Sequence, residues 1–213
     1  MTDREGIIYV VDDDAAVAEA LCELLASLGW RAVSFSSAGE YLAYPAPDLP
    51  ACLVLDVELP DINGLEVQRR LSHGIHPPIV FITGHGDIPS SVRAIKGGAV
   101  DFLTKPISEV SLMTAVQTAI ERDRADRSER EDLSILRNRF ATLTPREREV
   151  LPLVVSGLLN KQAAAELGIS EITLQIHRGK IMQKMDAASL ADLVRLAERL
   201  RIPITHSRRA GTS

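Results

Sequence analysis

Over the first 120 residues, short apolar runs bounded by turn residues alternate with segments of helical periodicity. IIYVV (7–11), RAVSF (31–35), CLVL (52–55), PIVFIT (78–83) and DFLT (101–104) predict strands, because they are short, rich in β-branched and aromatic residues and closed by Gly, Pro, Asp or Ser. The segments between them, at 15–28, 38–43, 64–71 and 88–96, and then from 108 onward, predict helices. The first places Val17, Leu21, Leu24, Leu25 and Leu28 at helical spacing before Gly29. Five such βα units predict an α/β fold, a doubly wound five-stranded parallel sheet with helices on both faces.

The pattern then changes. ERDRADRSEREDLSILRNRF (121–140) lacks Pro and Gly, and its acids stand three or four residues from arginines, as with Glu121 and Arg124 or Asp123 and Arg127. Such pairs support a solvated helix continuing from the last helix of the first domain, and Leu133, Leu136 and Phe140 return at helical spacing; the competing reading is a disordered charged linker. In LTPREREVL, Thr144 as N-cap, Pro145 at the first helical position and Glu147 three residues on form a capping box. NKQAAAELGIS gives a short helix, a Gly168 turn and a new cap at Ser170, which is the helix-turn-helix pattern; a last helix begins at Ser189. The expected organisation is therefore α/β plus all-α: 1–122, a charged helical linker at 123–139, and a four-helix domain at 140–213.

Composition sharpens that division. A chain of 213 residues accommodates two cores. Cys22 and Cys52 lie far apart in apolar segments and read as reduced core residues, which fits a cytoplasmic protein. No apolar run approaches the roughly 20 residues of a membrane span, and the first residues lack a signal-peptide pattern. The net charge of −5 is unevenly spread: residues 1–120 carry 7 Lys+Arg against 16 Asp+Glu, and residues 140–213 carry 11 against 7. An acidic metal-dependent site in front and a nucleic-acid-binding surface behind suit that split.

Ligands of open parallel sheets bind at the carboxyl ends of the strands. There the first predicted strand runs into Asp12, Asp13 and Asp14, the third ends on Asp56, the fourth on Thr83, and the fifth runs into Thr104, Lys105 and Pro106. Carboxylates gathered on one rim repel unless a cation joins them, and an oxygen-only donor set suits Mg²⁺. With that charge offset, Asp56 is placed to attack a phosphoryl group, and Lys105 and Thr83 to contact its oxygens. Asp14 reads as the N-cap of the first helix, Gly64 as a turn residue, and His85 either as an influence on water attack or as an ordinary loop histidine.

VVDDD, LVLDVELPDINGLE, FITGHGD and FLTKP, in this order and spacing, closely resemble the receiver domain of two-component response regulators, across roughly residues 5–122. The resemblance implies a flavodoxin/CheY-like receiver in which Asp56 is the phosphoacceptor, Asp12 and Asp13 are Mg²⁺ acids and the carbonyl of Glu58 is a further metal ligand. It also implies that Thr83 is the switch hydroxyl, Lys105 the phosphate-sensing lysine and Phe102 the aromatic that moves with Thr83, and that Lys105-Pro106 is a step often found as a cis peptide.

In the second domain the helix expected at 171–185 turns Leu174, Ile181 and Met185 to one side and Ile172, Ile176, Gly179 and Gln183 to the other. Ile176 on that outer side suits thymine methyls, Gly179 suits close approach of backbone to DNA, and Gln175 suits paired hydrogen bonds to adenine; scattered surface apolars and a tolerated Gly are the plainer alternative. Lys161, Arg178, Lys180 and Lys184 supply phosphate-binding charge. LTPREREVL, NKQAAAELGIS and ITLQIHRGKIMQKM resemble the LuxR-type helix-turn-helix of the NarL/FixJ class, over roughly 140–201, through Glu147, Glu149, Asn160, Lys161, Thr173, His177, Ile181 and Lys184. That adds Thr173 and His177 to the expected DNA face. Leu174 where Val is usual and Gly179 where a larger residue is usual leave base preference open. The tail ITHSRRAGTS is expected to be mobile, with two arginines for non-specific phosphate contact.

These readings combine into a transcriptional regulator, not an enzyme, with a sensor histidine kinase, promoter DNA and RNA polymerase as partners and a homodimer formed on phosphorylation. A phosphate-independent DNA-binding protein whose receiver serves only as a dimerisation module is the main alternative. A Mg²⁺ phosphohydrolase is a weaker one, since no second general acid is evident.

Overall fold

The computed structural model describes residues 5–203, so the expectation for the tail ITHSRRAGTS lies outside the described residues. The chain divides into two compact units, Met1–Arg127 and Ser128–Ser213.

In the first unit the apolar runs become strands because each has a core on both sides. Every residue of β1 (Ile7–Val11), β3 (Ala51–Asp56) and β4 (Ile79–Thr83) is buried. Alternation along the strands sends Ile7, Tyr9, Val11, Leu53, Leu55 and Phe81 into one cluster and Ile8, Val10, Cys52, Val54, Val80 and Ile82 into the other. With β2 (Arg31–Phe35) and β5 (Asp101–Thr104) the sheet is fully parallel in the order β2-β1-β3-β4-β5. Strand order reverses between β1 and β3, and the crevice that such a reversal opens lies at the carboxyl ends.

The helices divide between the faces. α1 (Ala15–Ser27) packs on the Ile8 cluster through Ala18, Leu21 and Leu25, and the start of α5 (Glu109–Ala141) through Leu112, Ala115, Val116, Ala119 and Ile120. α2 (Ala38–Ala43), α3 (Gly64–Leu71) and α4 (Ile88–Lys96) cover the Ile7 cluster. Side chains of Asp14, Ser37, Asn63 and Asp87 cap α1 to α4 by accepting hydrogen bonds from first-turn N–H groups.

The charged segment from Glu121 is helical as expected, lying within the unbroken α5, but its start is not simply solvated. Asp123 is 2% exposed; its carboxylate accepts from the Ala51 N–H at 2.8 Å and pairs with Arg127, which also pairs with Asp48. Arg122 donates to the Gly98 carbonyl and Arg124 to that of Glu5. Alternating charge was therefore a poor guide here, because the first residue of β3, Ala51, supplies an N–H that an acid on α5 accepts.

In the second unit α6 (Pro145–Val155), α7 (Asn160–Leu167), α8 (Glu171–Met185) and α9 (Leu190–Arg199) pack around Val150, Leu151, Ala163, Leu174, Ile181, Met185 and Leu193, joined by Leu136 from the end of α5. The Thr144–Glu147 capping box is present, and Gly168 ends α7 in the left-handed conformation at φ 63° that favours glycine. Among the described residues no helix is long and apolar enough to cross a membrane.

Candidate functional site

Four strand ends converge on one small polar cluster. β1 delivers Asp12, fully buried, and the exposed Asp13; β3 ends on buried Asp56; β4 ends on buried Thr83; and Lys105 follows β5 on the amino side of a cis peptide to Pro106. The Lys105 ammonium donates to Asp12 Oδ2 and to Asp56 Oδ2, each at 2.6 Å. The second oxygens are also engaged: Asp12 Oδ1 accepts from the Asp14 N–H and Asp56 Oδ1 from the Glu58 N–H, both at 3.0 Å. Burial raises the Asp12 carboxyl above its ordinary pKa despite the Lys105 hydrogen bond, so the site holds this charge reluctantly. Burial works to lower the Lys105 ammonium, but hydrogen bonds to Asp12 and Asp56 outweigh it and leave the group raised, hence cationic.

Asp12, Asp13 and Asp56 each offer a carboxylate oxygen within 4.8 Å of the others. Hard oxygen donors with no Cys or His among them fit Mg²⁺. Beside them Thr83 Oγ1 accepts from the His85 N–H at 3.1 Å, which leaves the hydroxyl proton available as a donor. Phe102 is half-buried, its ring centroid 6.2 Å from that of Phe81.

The loop from β3 to α3 carries features that sequence reading missed or undervalued. A Cβ on Gly64 would strike the Asp56 carbonyl oxygen, so this glycine is required by close approach to the site and not merely by a turn. Gly64 N–H donates to the Val57 carbonyl at 2.9 Å, and Asp61 Oδ2 accepts from the Gly39 N–H at 3.0 Å, tying the loop to α2; that hydrogen bond holds Asp61 below its usual pKa. At the rim, exposed His85 Nδ1 lies 3.3 Å from Glu58 Oε2.

In the second unit the face of α8 opposite its buried Leu174, Ile181 and Met185 presents Ile172, Gln175, Ile176, Gly179, Lys180 and Gln183 to solvent, and Lys161 on α7 is exposed as well. Other expected DNA-contact residues are occupied within the unit. Arg178 donates to Asn160 Oδ1 at 3.1 Å, and the Thr173 hydroxyl lies 2.8 Å from that of Ser170. Lys184 bonds to buried Glu147 at 2.6 Å and to the Thr142 carbonyl at 3.2 Å. His177 is half-buried, and its Nδ1 has no hydrogen-bond partner.

Known proteins share both halves. Residues 8–117 match the family described as response regulator receiver domain, and residues 141–197 match bacterial regulatory proteins, luxR family. Nodulation protein W of Bradyrhizobium diazoefficiens is 51% identical over 204 residues, covering 95% of this chain and 90% of that protein. Response regulator protein TodT of Pseudomonas putida is 48% identical over 202 residues, covering 94% and 89%. Among solved structures, response regulator StyR is similar with a TM-score of 0.78 and 45% identity over 92% of this chain and 100% of that chain. Full-length FixJ from B. japonicum gives a TM-score of 0.55 and 40% identity, covering 93% and 98%.

Proposed function

Because the chain belongs to the two-component response regulators that join a receiver domain to a LuxR-type DNA-binding domain, we propose that phosphoryl transfer from a sensor histidine kinase to Asp56 controls its dimerisation and its binding to promoter DNA. The observation that carries this reading is the Lys105 ammonium held between Asp12 and Asp56 at 2.6 Å from each. A cation so placed is already where the oxygens of a phosphorylated Asp56 would need one.

Asp12, Asp13 and Asp56, with the Glu58 carbonyl, would hold Mg²⁺, whose charge offsets that of the phosphoryl oxygens when it is bound. An Asp56 carboxylate oxygen bonds to phosphorus as the bond from phosphorus to the kinase imidazole nitrogen breaks, the electron pair departing with the imidazole. Lys105 turns one N–H from carboxylate to phosphoryl oxygen, and Thr83 donates its hydroxyl proton to another. Phe102 then follows Thr83. The exposed apolar stripe on α4, Ile88, Val92 and Ile95, offers a second copy of the chain a surface whose geometry depends on the loop after Thr83.

On the same reading residues 1–122 are the receiver, 123–139 the linker and 140–213 the DNA-binding domain, acting in the cytoplasm with RNA polymerase as a further partner. Lys161, Gln175, Ile176, Gly179 and Lys180 meet DNA directly, with Thr173, His177, Arg178 and Lys184 at the margin of that face.

Light scattering with and without Mg²⁺ and beryllofluoride, a phosphoryl mimic, tests the proposal on the wild type and Asp56→Asn. Doubling of the mass in the wild type alone is the expected result. An unchanged mass in the wild type, or doubling in both proteins, would remove Asp56 as the control of dimerisation.

A further inference from the structure

Gly179 lies inside α8, where glycine is unfavourable by about 1 kcal/mol relative to alanine. Nothing in the fold asks for it: its φ is not positive, and an added Cβ would meet nothing within 4 Å beyond the helix's own backbone. The glycines at 64, 86 and 97 differ, since a Cβ there would collide with Asp56, Thr104 or Gln68. A surface docked closely on α8 would supply the reason that the fold does not.

Its neighbours indicate what docks. At 100° per residue Ile172, Ile176, Gly179 and Gln183 fall within about 60° of arc, opposite the buried Leu174, Ile181 and Met185. Ile172 is 71% exposed and Ile176 53%, two β-branched side chains displayed to solvent on one face of α8. Gln175 borders the stripe on one side and Lys180 on the other; neither the stripe nor Gln175 carries charge. With Lys180 exposed beside it, Lys161 exposed on α7, and Lys+Arg exceeding Asp+Glu by 11 to 7 over residues 140–213, the occupant that fits is an anion with apolar groups recessed between its charges.

We infer that α8 reads its DNA half-site chiefly through thymine methyl groups seated on Ile172 and Ile176, and that Gly179 is bare so that base edges of the major groove reach the helix backbone. The inference rests on the DNA-binding reading above and deepens it to a base class. In the major groove the thymine C5 methyl is the apolar feature that separates T·A from the other pairs, and branched aliphatic side chains complement it.

The test uses the full chain with Mg²⁺ and beryllofluoride. Duplexes selected from a random pool would first define the site, and each thymine of it would then be replaced by deoxyuridine, which removes only the methyl. Replacement at one or two positions per half-site should weaken binding about fourfold each, the scale of one lost apolar carbon. Ile176→Ala should abolish the effect at one of those positions. Gly179→Ala should raise the thermal midpoint of the DNA-binding domain by about 4 °C yet lower affinity on the order of tenfold, with an unchanged salt dependence because no phosphate contact is lost.

Selected sites indifferent to every deoxyuridine substitution would overturn the inference and leave DNA binding intact. So would a stabilised Gly179→Ala protein that binds as tightly as the wild type. If Ile172→Ala and Ile176→Ala bind DNA normally but fail to activate transcription, the stripe belongs to a protein partner and the inference is again overturned. No enrichment of any duplex would overturn the DNA-binding reading and this inference together.

Discussion

At the residue scale, one absent Cβ governs how the loop after β3 meets Asp56. An alanine at Gly64 must push the Asp56 carbonyl and the Val57 backbone aside. Overpacking of a close contact costs about 1–3 kcal/mol. Gly64→Ala is therefore expected to lower the urea midpoint of the receiver and, by shifting the carboxylate proposed as the acceptor, to slow phosphorylation by a small phosphodonor at least tenfold, read on a phosphate-affinity gel. A normal rate in a destabilised protein would mean that Asp56 is positioned independently of its loop.

Lys184 illustrates a different dependence. Glu147 is 2% exposed; burial acts to raise its pKa, but the Lys184 ammonium and the Thr144 N–H more than compensate and leave it lowered. A lowered carboxylate contributes stability in full above its ordinary value of 4.5, and the contribution is lost as pH falls through the folded value below that. Lys184→Met should cost the domain about 2 kcal/mol at pH 7, less than for stripping a wholly buried pair because the Lys184 side chain is 32% exposed. The same variant should flatten the decline of stability on the acid side, measured by urea denaturation from pH 7 to pH 3. Asp56, Lys105 and Thr83 were legible in the sequence because a parallel sheet brings its strand ends to one edge whatever the details. The Lys184–Glu147 pair spans 37 positions and two helices, and no periodicity connects them.

At the scale of elements, α5 shows how a helix without an apolar stripe on its exposed half is still held in place. Beyond Ile120 its attachment to the first unit passes from apolar packing to polar clamps: Arg122 on the Gly98 carbonyl, Arg124 on that of Glu5, and Asp123 with Arg127 on the chain entering β3. Asp123→Ala strands the buried Ala51 N–H and leaves Arg127 paired with Asp48 alone, and an unsatisfied buried donor costs about 1–3 kcal/mol. The expected outcome is faster amide exchange in α5 from residue 121 onward, with β1 and β4 unaffected. Equal exchange in both proteins would assign the hold on this helix to apolar packing alone. The strands and short helices could be anticipated within a residue or two because buried runs and caps are local signals. The burial of Asp123 could not, since its partner is the backbone N–H of Ala51, and every residue except proline carries one.

At the scale of the whole molecule, the proposed control of transcription from Asp56 would draw on nearly all the free energy that the site itself offers. Moving a population from 1:99 to 99:1 takes about 5.5 kcal/mol of differential free energy. The groups on hand to recognise a phosphoryl group are few, Lys105 and Thr83 foremost, and each charge-assisted hydrogen bond contributes only about 1.5–3 kcal/mol. On the proposed reading, pairing two copies through the exposed Ile88, Val92 and Ile95 would add apolar burial, and pairing two helix-turn-helix units on one duplex would make the second binding event effectively intramolecular. The steps reinforce one another only if both half-sites lie on the same face of the DNA. Inserting about five base pairs, half a helical turn, between the half-sites should lower the affinity of the beryllofluoride-bound protein toward that for a single half-site, and inserting about ten should restore most of it. Affinity indifferent to the five-pair insertion would mean that the two copies bind without a fixed spacing, and dimerisation would then contribute by local concentration alone.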